Sequence, residues 1–131
     1  MTAYLFDASG ILTAIRLGKG EMLIGNYTLL LARYELGNAI LKEGTIHHKY
    51  TKQQQFEFIG IIDGALKSMR VLDVEDIAKN VLDVALSYKL SFYDACYAYY
   101  ARYTGMTLVT EDAKLANKVR GYIKTVGAEQ A

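Results

Sequence analysis

Short apolar runs alternate along the chain with longer stretches in which apolar residues recur every three or four positions. The run Ala3-Tyr4-Leu5-Phe6 ends at an acid and a small-residue turn, Asp7-Ala8-Ser9-Gly10, as a buried strand does where it hands over to a helix. A helix is predicted from Ser9 to about Leu17 on the spacing of Ile11, Leu12 and Ile15, closed by Gly18 and Gly20. Tyr27 to Leu31 reads as a second strand. It flows into a helix to about Leu41 with Leu36, Ala39 and Ile40 on one face, followed by a polar loop from Lys42 to Tyr50. Thr51 caps a helix to about Ser68 whose stripe is Phe56, Ile59, Ile62 and Leu66. Met69 to Val74 is a short strand. Asp76 to Lys89 forms a helix on Ile77, Val81, Leu82, Ala85 and Leu86, and Ser91 opens another to about Thr104. Thr107-Leu108-Val109 is a strand, Asp112 to Arg120 a short helix and Tyr122 to Val126 a last strand. Alternating strands and helices with short connections predict a three-layer α/β domain with a mostly parallel sheet, in which ligands bind beyond the carboxyl ends of the strands.

Composition narrows this picture. A chain of 131 residues, 52% hydrophobic and 22% charged, is the size of one domain and too apolar to be disordered. There is no proline, which excludes proline-rich linkers and tandem recognition modules. Fifteen basic residues against 14 acidic ones give +1, a balance that names no partner. The single cysteine, Cys96, cannot form an internal disulfide, and Met1 to Gly10 lacks the pattern of a secretory leader, so a cytoplasmic protein is expected. No uncharged apolar run approaches the roughly 18 residues of a membrane span. The glycines at 18 and 20 lack the hydroxyl and the register of a phosphate-binding loop.

The informative polar positions are acids. Asp7, Glu35, Asp94 and Asp112 fall where strand ends and adjoining helix turns would bring them to one rim. Four unpaired carboxylates at one place repel, and a divalent cation resolves the conflict. An open oxygen-ligand cluster suits Mg²⁺ or Mn²⁺, whereas zinc favours nitrogen and sulfur. Each acid also has a local role available. Ser91 and Asp94 match a capping box, and Glu111 and Asp112 sit early in a helix that Thr110 would cap.

The ordered segments Tyr4-Leu5-Phe6-Asp7-Ala8-Ser9, Tyr34-Glu35-Leu36-Gly37-Asn38-Ala39, Leu90-Ser91-Phe92-Tyr93-Asp94-Ala95 and Leu108-Val109-Thr110-Glu111-Asp112 resemble the PIN-domain ribonucleases, and within them the small VapC-type toxins. The last acid follows the third by 18 residues, and the resemblance covers nearly the whole chain. It implies an α/β/α sandwich over residues 1–131, an acidic pocket for one or two Mg²⁺ or Mn²⁺ ions, and endonucleolytic cleavage of single-stranded RNA. Position by position, Asp7, Glu35, Asp94 and Asp112 match the four acids, and Ser9 and Thr110 the small polar residues that support them. Asp7 and Asp94 are expected to ligate metal directly, Asp112 directly or through water, and Glu35 to orient a water. Two departures stand out: Ser9 occupies a position where the family often has asparagine, and the proline that often precedes the second acid is absent.

Setting the four acids aside leaves 15 basic residues against 10 acidic, compatible with a basic apron around an acidic cleft. A toxin of this kind implies a small antitoxin partner, expected to lay an Arg or Lys against the four acids. The surplus apolar and tyrosine-rich surface of the second to fourth helices predicts a homodimer. The alternatives within the family are an RNA-processing or decay nuclease without antitoxin and a catalytically silent interaction module. A phospho-accepting receiver domain would want paired acids after the first strand, and Phe6-Asp7 supplies one. His47-His48 lacks a third ligand at suitable spacing, and Cys96 lacks a histidine to activate it. Tyr93, Tyr97 and Tyr100, flanked by Tyr99 and Tyr103, form a stripe expected to serve core or dimer packing rather than base stacking.

Overall fold

A computed structural model of the protein describes residues 3–131. Its elements in chain order are β1 (Tyr4–Phe6), α1 (Ala8–Arg16), a 3₁₀ turn at Gly20–Leu23, β2 (Tyr27–Leu29), α2 (Leu31–Thr45), α3 (Lys52–Ser68), β3 (Arg70–Leu72), α4 (Ala78–Tyr88), α5 (Phe92–Thr104), β4 (Thr107–Val109), α6 (Ala113–Lys118) and β5 (Thr125–Val126). The strands form one sheet in the order β3-β2-β1-β4-β5, and every pairing is parallel. The expected three-layer α/β/α architecture is therefore what the chain adopts.

The period-two alternation of the strands distributes the core. Leu5, Leu29 and Leu108 point to the layer formed by α4, α5 and α6, where they meet Val81, Val84, Ala95, Tyr97, Ala98 and Leu115. Phe6 and Val109 point the other way, to Ile11 and Ala14 of α1, Leu36 and Ile40 of α2, and Ile62 and Leu66 of α3. Burial on both faces explains why the strands read as continuous apolar runs. No helix among the described residues is long and apolar enough to cross a membrane.

Local signals set most helix starts. Thr51 and Gln54 form a reciprocal capping box at α3, and Ser91 Oγ accepts the Asp94 amide at 3.0 Å to start α5. Several expectations shift. α2 runs on through Thr45, where the Glu43 carboxylate pairs with Arg16 of α1 and the Thr45 hydroxyl donates to the Leu41 carbonyl. Phe56 is 67% exposed, over a shallow apolar recess between α2 and α3. In α4 the buried positions are Val81, Val84 and Ala85, so Leu82 and Leu86, one step round the helix, face solvent. The last strand is only Thr125–Val126, since the Tyr122 and Ile123 amides donate to the Val119 carbonyl in a turn.

Candidate active site

The chain builds β1, β2 and β3 outward in one direction, then returns to place β4 and β5 on the other side of β1. β1 and β4 thus flank the point where strand order reverses, and a crevice opens beyond their carboxyl ends. Residues following these two strands are Asp7 and Thr110, so topology alone brings residues more than a hundred positions apart to one rim.

Asp7 is the N-cap of α1. Its backbone is extended, its amide donates to the Val109 carbonyl, and its Oδ1 accepts the Gly10 amide at 2.9 Å and the Ser9 hydroxyl at 2.6 Å. Gly10 is required by space: a Cβ there would lie 2.5 Å from the Val109 carbonyl oxygen. The first turn of α1 therefore packs directly on the end of β4, with Asp7 7% exposed. Ser9 Oγ also accepts the Glu111 amide at 2.9 Å and sits 3.3 Å from Thr110 Oγ1. Thr110 Oγ1 in turn accepts the Asp112 amide at 3.1 Å. The two small polar residues thus tie the β1 and β4 ends together.

Asp112, rather than Thr110, is the N-cap of α6, its Oδ1 accepting the Leu115 amide at 3.1 Å. The dipole reading of Asp112 holds in this modified form. Glu111 turns away, with Oε1 accepting the Ala128 amide at 2.6 Å. Glu35 lies in the second turn of α2, where its Oε1 accepts the Tyr97 hydroxyl at 2.8 Å. Asp94 lies in the first turn of α5. All four acids, with Ala8, Ser9 and Tyr97, line one cavity of about 220 Å³.

The electrostatics are unfavourable as they stand. Burial pushes the Asp7 carboxyl above the usual range against the opposing hydrogen bonds from Ser9, Thr110 and Gly10, and the charge of Asp94 adds to the rise. Glu35 is raised by burial and by Asp7 and Asp94, opposed by Tyr97. Asp94 is raised by burial and by Asp112, with Lys118 a minor opposing influence. Among the described residues the only ion pair is Arg16–Glu43, so no Lys or Arg neutralises the four acids by direct contact. This donor set fits a hard divalent cation. No three His, Cys, Asp or Glu side chains among the described residues converge into a closed ligand cage. The cavity accordingly suits an ion held by one or two carboxylates and water, the habit of Mg²⁺, rather than a preformed all-protein site.

Two contributors were not assigned to the site from sequence. Tyr97 is buried, its hydroxyl is pushed far above its usual range by burial and by Glu35, and it donates to the Glu35 carboxylate. Its spacing of three from Asp94 on one helix was the available signal. The tyrosine stripe therefore divides: Tyr97 serves the site, while Tyr93 and Tyr103 are exposed. Gly10 was foreshadowed only by its place at a strand-to-helix turn. His47 and His48 lie outside the cavity, and Cys96 lines a different one.

Comparison with known proteins finds relatives in sequence and in fold. The exonuclease VapC9 of Pyrobaculum aerophilum is 36% identical over 104 aligned residues, covering 72% of this chain and 68% of that protein. The crystal structure of PAE2754 from Pyrobaculum aerophilum superposes with a TM-score of 0.83 at 29% identity, over 98% of this chain and 91% of the other. A toxin–antitoxin complex from Klebsiella pneumoniae, 19% identical, shares the fold with a TM-score of 0.65 over 96% of this chain and 98% of its own. The PIN domain profile matches residues 10–121, a span that holds Glu35, Asp94 and Asp112 and begins three residues after Asp7. With most of its length matched in this way, the chain belongs to the PIN-domain family.

Proposed function

We propose that the protein is a Mg²⁺- or Mn²⁺-dependent ribonuclease that hydrolyses single-stranded RNA internally, and that it is the toxin of a toxin–antitoxin pair. The observation that carries this reading is the meeting of Asp7, Glu35, Asp94 and Asp112 around one cavity at the strand-order reversal, with no Lys or Arg among the described residues in direct contact with them. Family membership and the relative named as an exonuclease support phosphodiester hydrolysis.

Asp7 and Asp94 are the residues to hold an ion, with Asp112 joining directly or through water. When bound, the divalent ion neutralises charge on the phosphate and makes water a stronger nucleophile. Glu35, fixed by the Tyr97 hydroxyl, orients the attacking water and accepts its proton. Water oxygen bonds to phosphorus as the bond to the leaving ribose oxygen breaks, and that oxygen takes up a proton from solvent. Ser9 and Thr110 hold the two strand ends, and so Asp7 and Asp112, at fixed separation.

The test is a mixed RNA pool, linear and circular, incubated with the protein in Mg²⁺, Mn²⁺ or EDTA, with the new ends mapped. Cleavage of circular RNA in either metal and none in EDTA is expected. Trimming of linear ends alone would move the chain to exonuclease chemistry, the activity for which its Pyrobaculum relative is named.

The antitoxin is expected to place an Arg or Lys into the acidic cavity, since a guanidinium pairs bidentately with carboxylates and displaces metal. Inhibition that weakens as Mn²⁺ rises supports this arrangement, and a small adjacent reading frame supplies the partner to try. Exposed Leu41, Phe56, Ile61, Leu82 and Leu86 on α2, α3 and α4 support a homodimer, which light scattering measures directly.

A further inference from the structure

A second hollow adjoins the acidic cavity. It measures about 580 Å³, and Glu35 is the wall the two share. One side is a single face of α2, on which Leu31, Tyr34, Glu35, Asn38, Ala39 and Lys42 follow at steps of three and four. The opposite face of the same helix sends Ala32, Leu36 and Ile40 into the core. Across the hollow stands Tyr93, next to Asp94 in the first turn of α5. Tyr34 is 67% and Tyr93 60% exposed, so neither ring is explained by packing of the chain itself.

The chemistry of this lining is that of a nucleotide. Exposed tyrosine rings stack on unpaired bases with little dependence on sequence. The Asn38 amide offers a donor and an acceptor to a base edge. Lys42 carries a compact positive charge suited to a phosphate, and it lies two helical turns from Glu35, roughly 10 Å along the axis. The core of a protein–protein contact is depleted of charge, whereas Glu35 and Lys42 both line this hollow.

We infer that the hollow between α2 and α5 is a subsite for the nucleotide flanking the cleaved bond of a single-stranded RNA, with Tyr34 and Tyr93 as stacking surfaces, Asn38 at the base edge and Lys42 at the phosphate. The inference rests on the ribonuclease reading and adds where the substrate lies. Access to the rings requires unstacked bases, which sets the preference for single strands over duplexes.

The experiment measures binding of a short fluorescein-labelled single-stranded RNA of random sequence, by anisotropy in Mg²⁺, to the full chain carrying Asp94→Asn to suppress cleavage. Tyr34→Ala and Tyr93→Ala are each expected to raise Kd about tenfold. Lys42→Ala is expected to reduce the magnitude of the slope of log K against log salt by about 0.7. Tyr103→Ala, which removes an equally exposed ring at the far end of α5, is the matched control and leaves Kd unchanged. A duplex of the same length binds more weakly and is insensitive to both tyrosine changes. Unchanged Kd for Tyr34→Ala and Tyr93→Ala overturns the subsite while leaving the nuclease reading in place. Loss of a dimer in these variants, with RNA binding intact, also overturns it and assigns the hollow to a second copy of the chain. Failure of the parent protein to cleave or bind any RNA would instead sink the reading on which the subsite rests.

Discussion

Two hollows of nearly equal volume lie at the carboxyl edge of the same sheet, and their chemistry is opposite. The one beyond β1 and β4 measures about 220 Å³ and is lined by four acids. The one beyond β2 and β3 measures about 230 Å³ and is lined largely by Leu29, Leu31, Leu72, Val74, Val81 and Phe92. Helix α5 divides them: Asp94 and Tyr97 face the first, Phe92 and Cys96 the second. Acids border both, yet Asp73 and Asp76 beside the apolar hollow stay exposed to water, whereas Asp7 is buried. A parallel sheet supplies a recess wherever strands end. What separates the acidic recess from the apolar one is the commitment of hydrogen bonds to hold charge out of water: Ser9 and Gly10 to Asp7, and Tyr97 to Glu35.

The largest expected effect contrasts the two hollows directly. Asp94→Asn, which keeps shape and removes a charge, is expected to lower the cleavage rate by more than about a hundredfold with thermal stability retained. Val81→Ala in the apolar hollow is expected to cost roughly 2 kcal/mol in denaturant unfolding, with the cleavage rate per folded molecule retained. An active Asp94→Asn enzyme, or a folded but inactive Val81→Ala enzyme, would break the division. Next in size is Tyr97→Phe, which frees the Glu35 carboxylate while keeping the ring in the core. A fall in kcat of about tenfold or more is expected, with a stability loss of about 1.5 kcal/mol or less. Rate and stability falling in proportion would reduce Tyr97 to a packing residue.

The third prediction concerns pH. Asp7, Glu35 and Asp94 have folded pKa values above the ordinary carboxylate range, so between the unfolded and folded values the native state binds more protons than the unfolded one. Stability of the metal-free protein therefore carries a penalty from these groups that is absent in acid and grows as pH rises through their folded pKa values. Asp7→Asn keeps an effective N-cap and cannot ionise. Metal-free Asp7→Asn is expected to melt above the parent protein at neutral pH, with the gap closing toward mildly acidic pH. Mn²⁺ is expected to raise the melting temperature of the parent more than that of the variant. A gap that is constant with pH would remove Asp7 as a source of stored electrostatic strain.

Much of this was legible because its signals are local or periodic. The strand Thr107–Val109 and the helix Lys52–Ser68 have the bounds that apolar runs and the Thr51 cap imply. The four acids were legible because each lies at a strand end or in the first two turns of a helix, and topology gathers such positions at one edge. The misplaced residues depend on distance in the chain. Helical spacing marks Leu82, Leu86 and Phe56 as apolar without saying how wide the surface beneath them is, and the sheet with its neighbours covers less than the stripe. The partner of Tyr97 lies 62 residues away on another helix. At Thr110-Glu111-Asp112 two residues can cap the same helix, and the tie from Ser9 to the Glu111 amide settles the choice by fixing the turn.

The acidic cavity must hold the ion on which cleavage depends. The most direct measurement is diffraction from crystals grown with Mn²⁺, collected at the manganese edge, alongside cleavage by the same preparation. An anomalous peak in the cavity lined by Asp7, Glu35, Asp94 and Asp112, absent from Asp94→Asn crystals, is the predicted result. An active preparation whose crystals hold no manganese there, or hold it only elsewhere on the surface, would contradict it.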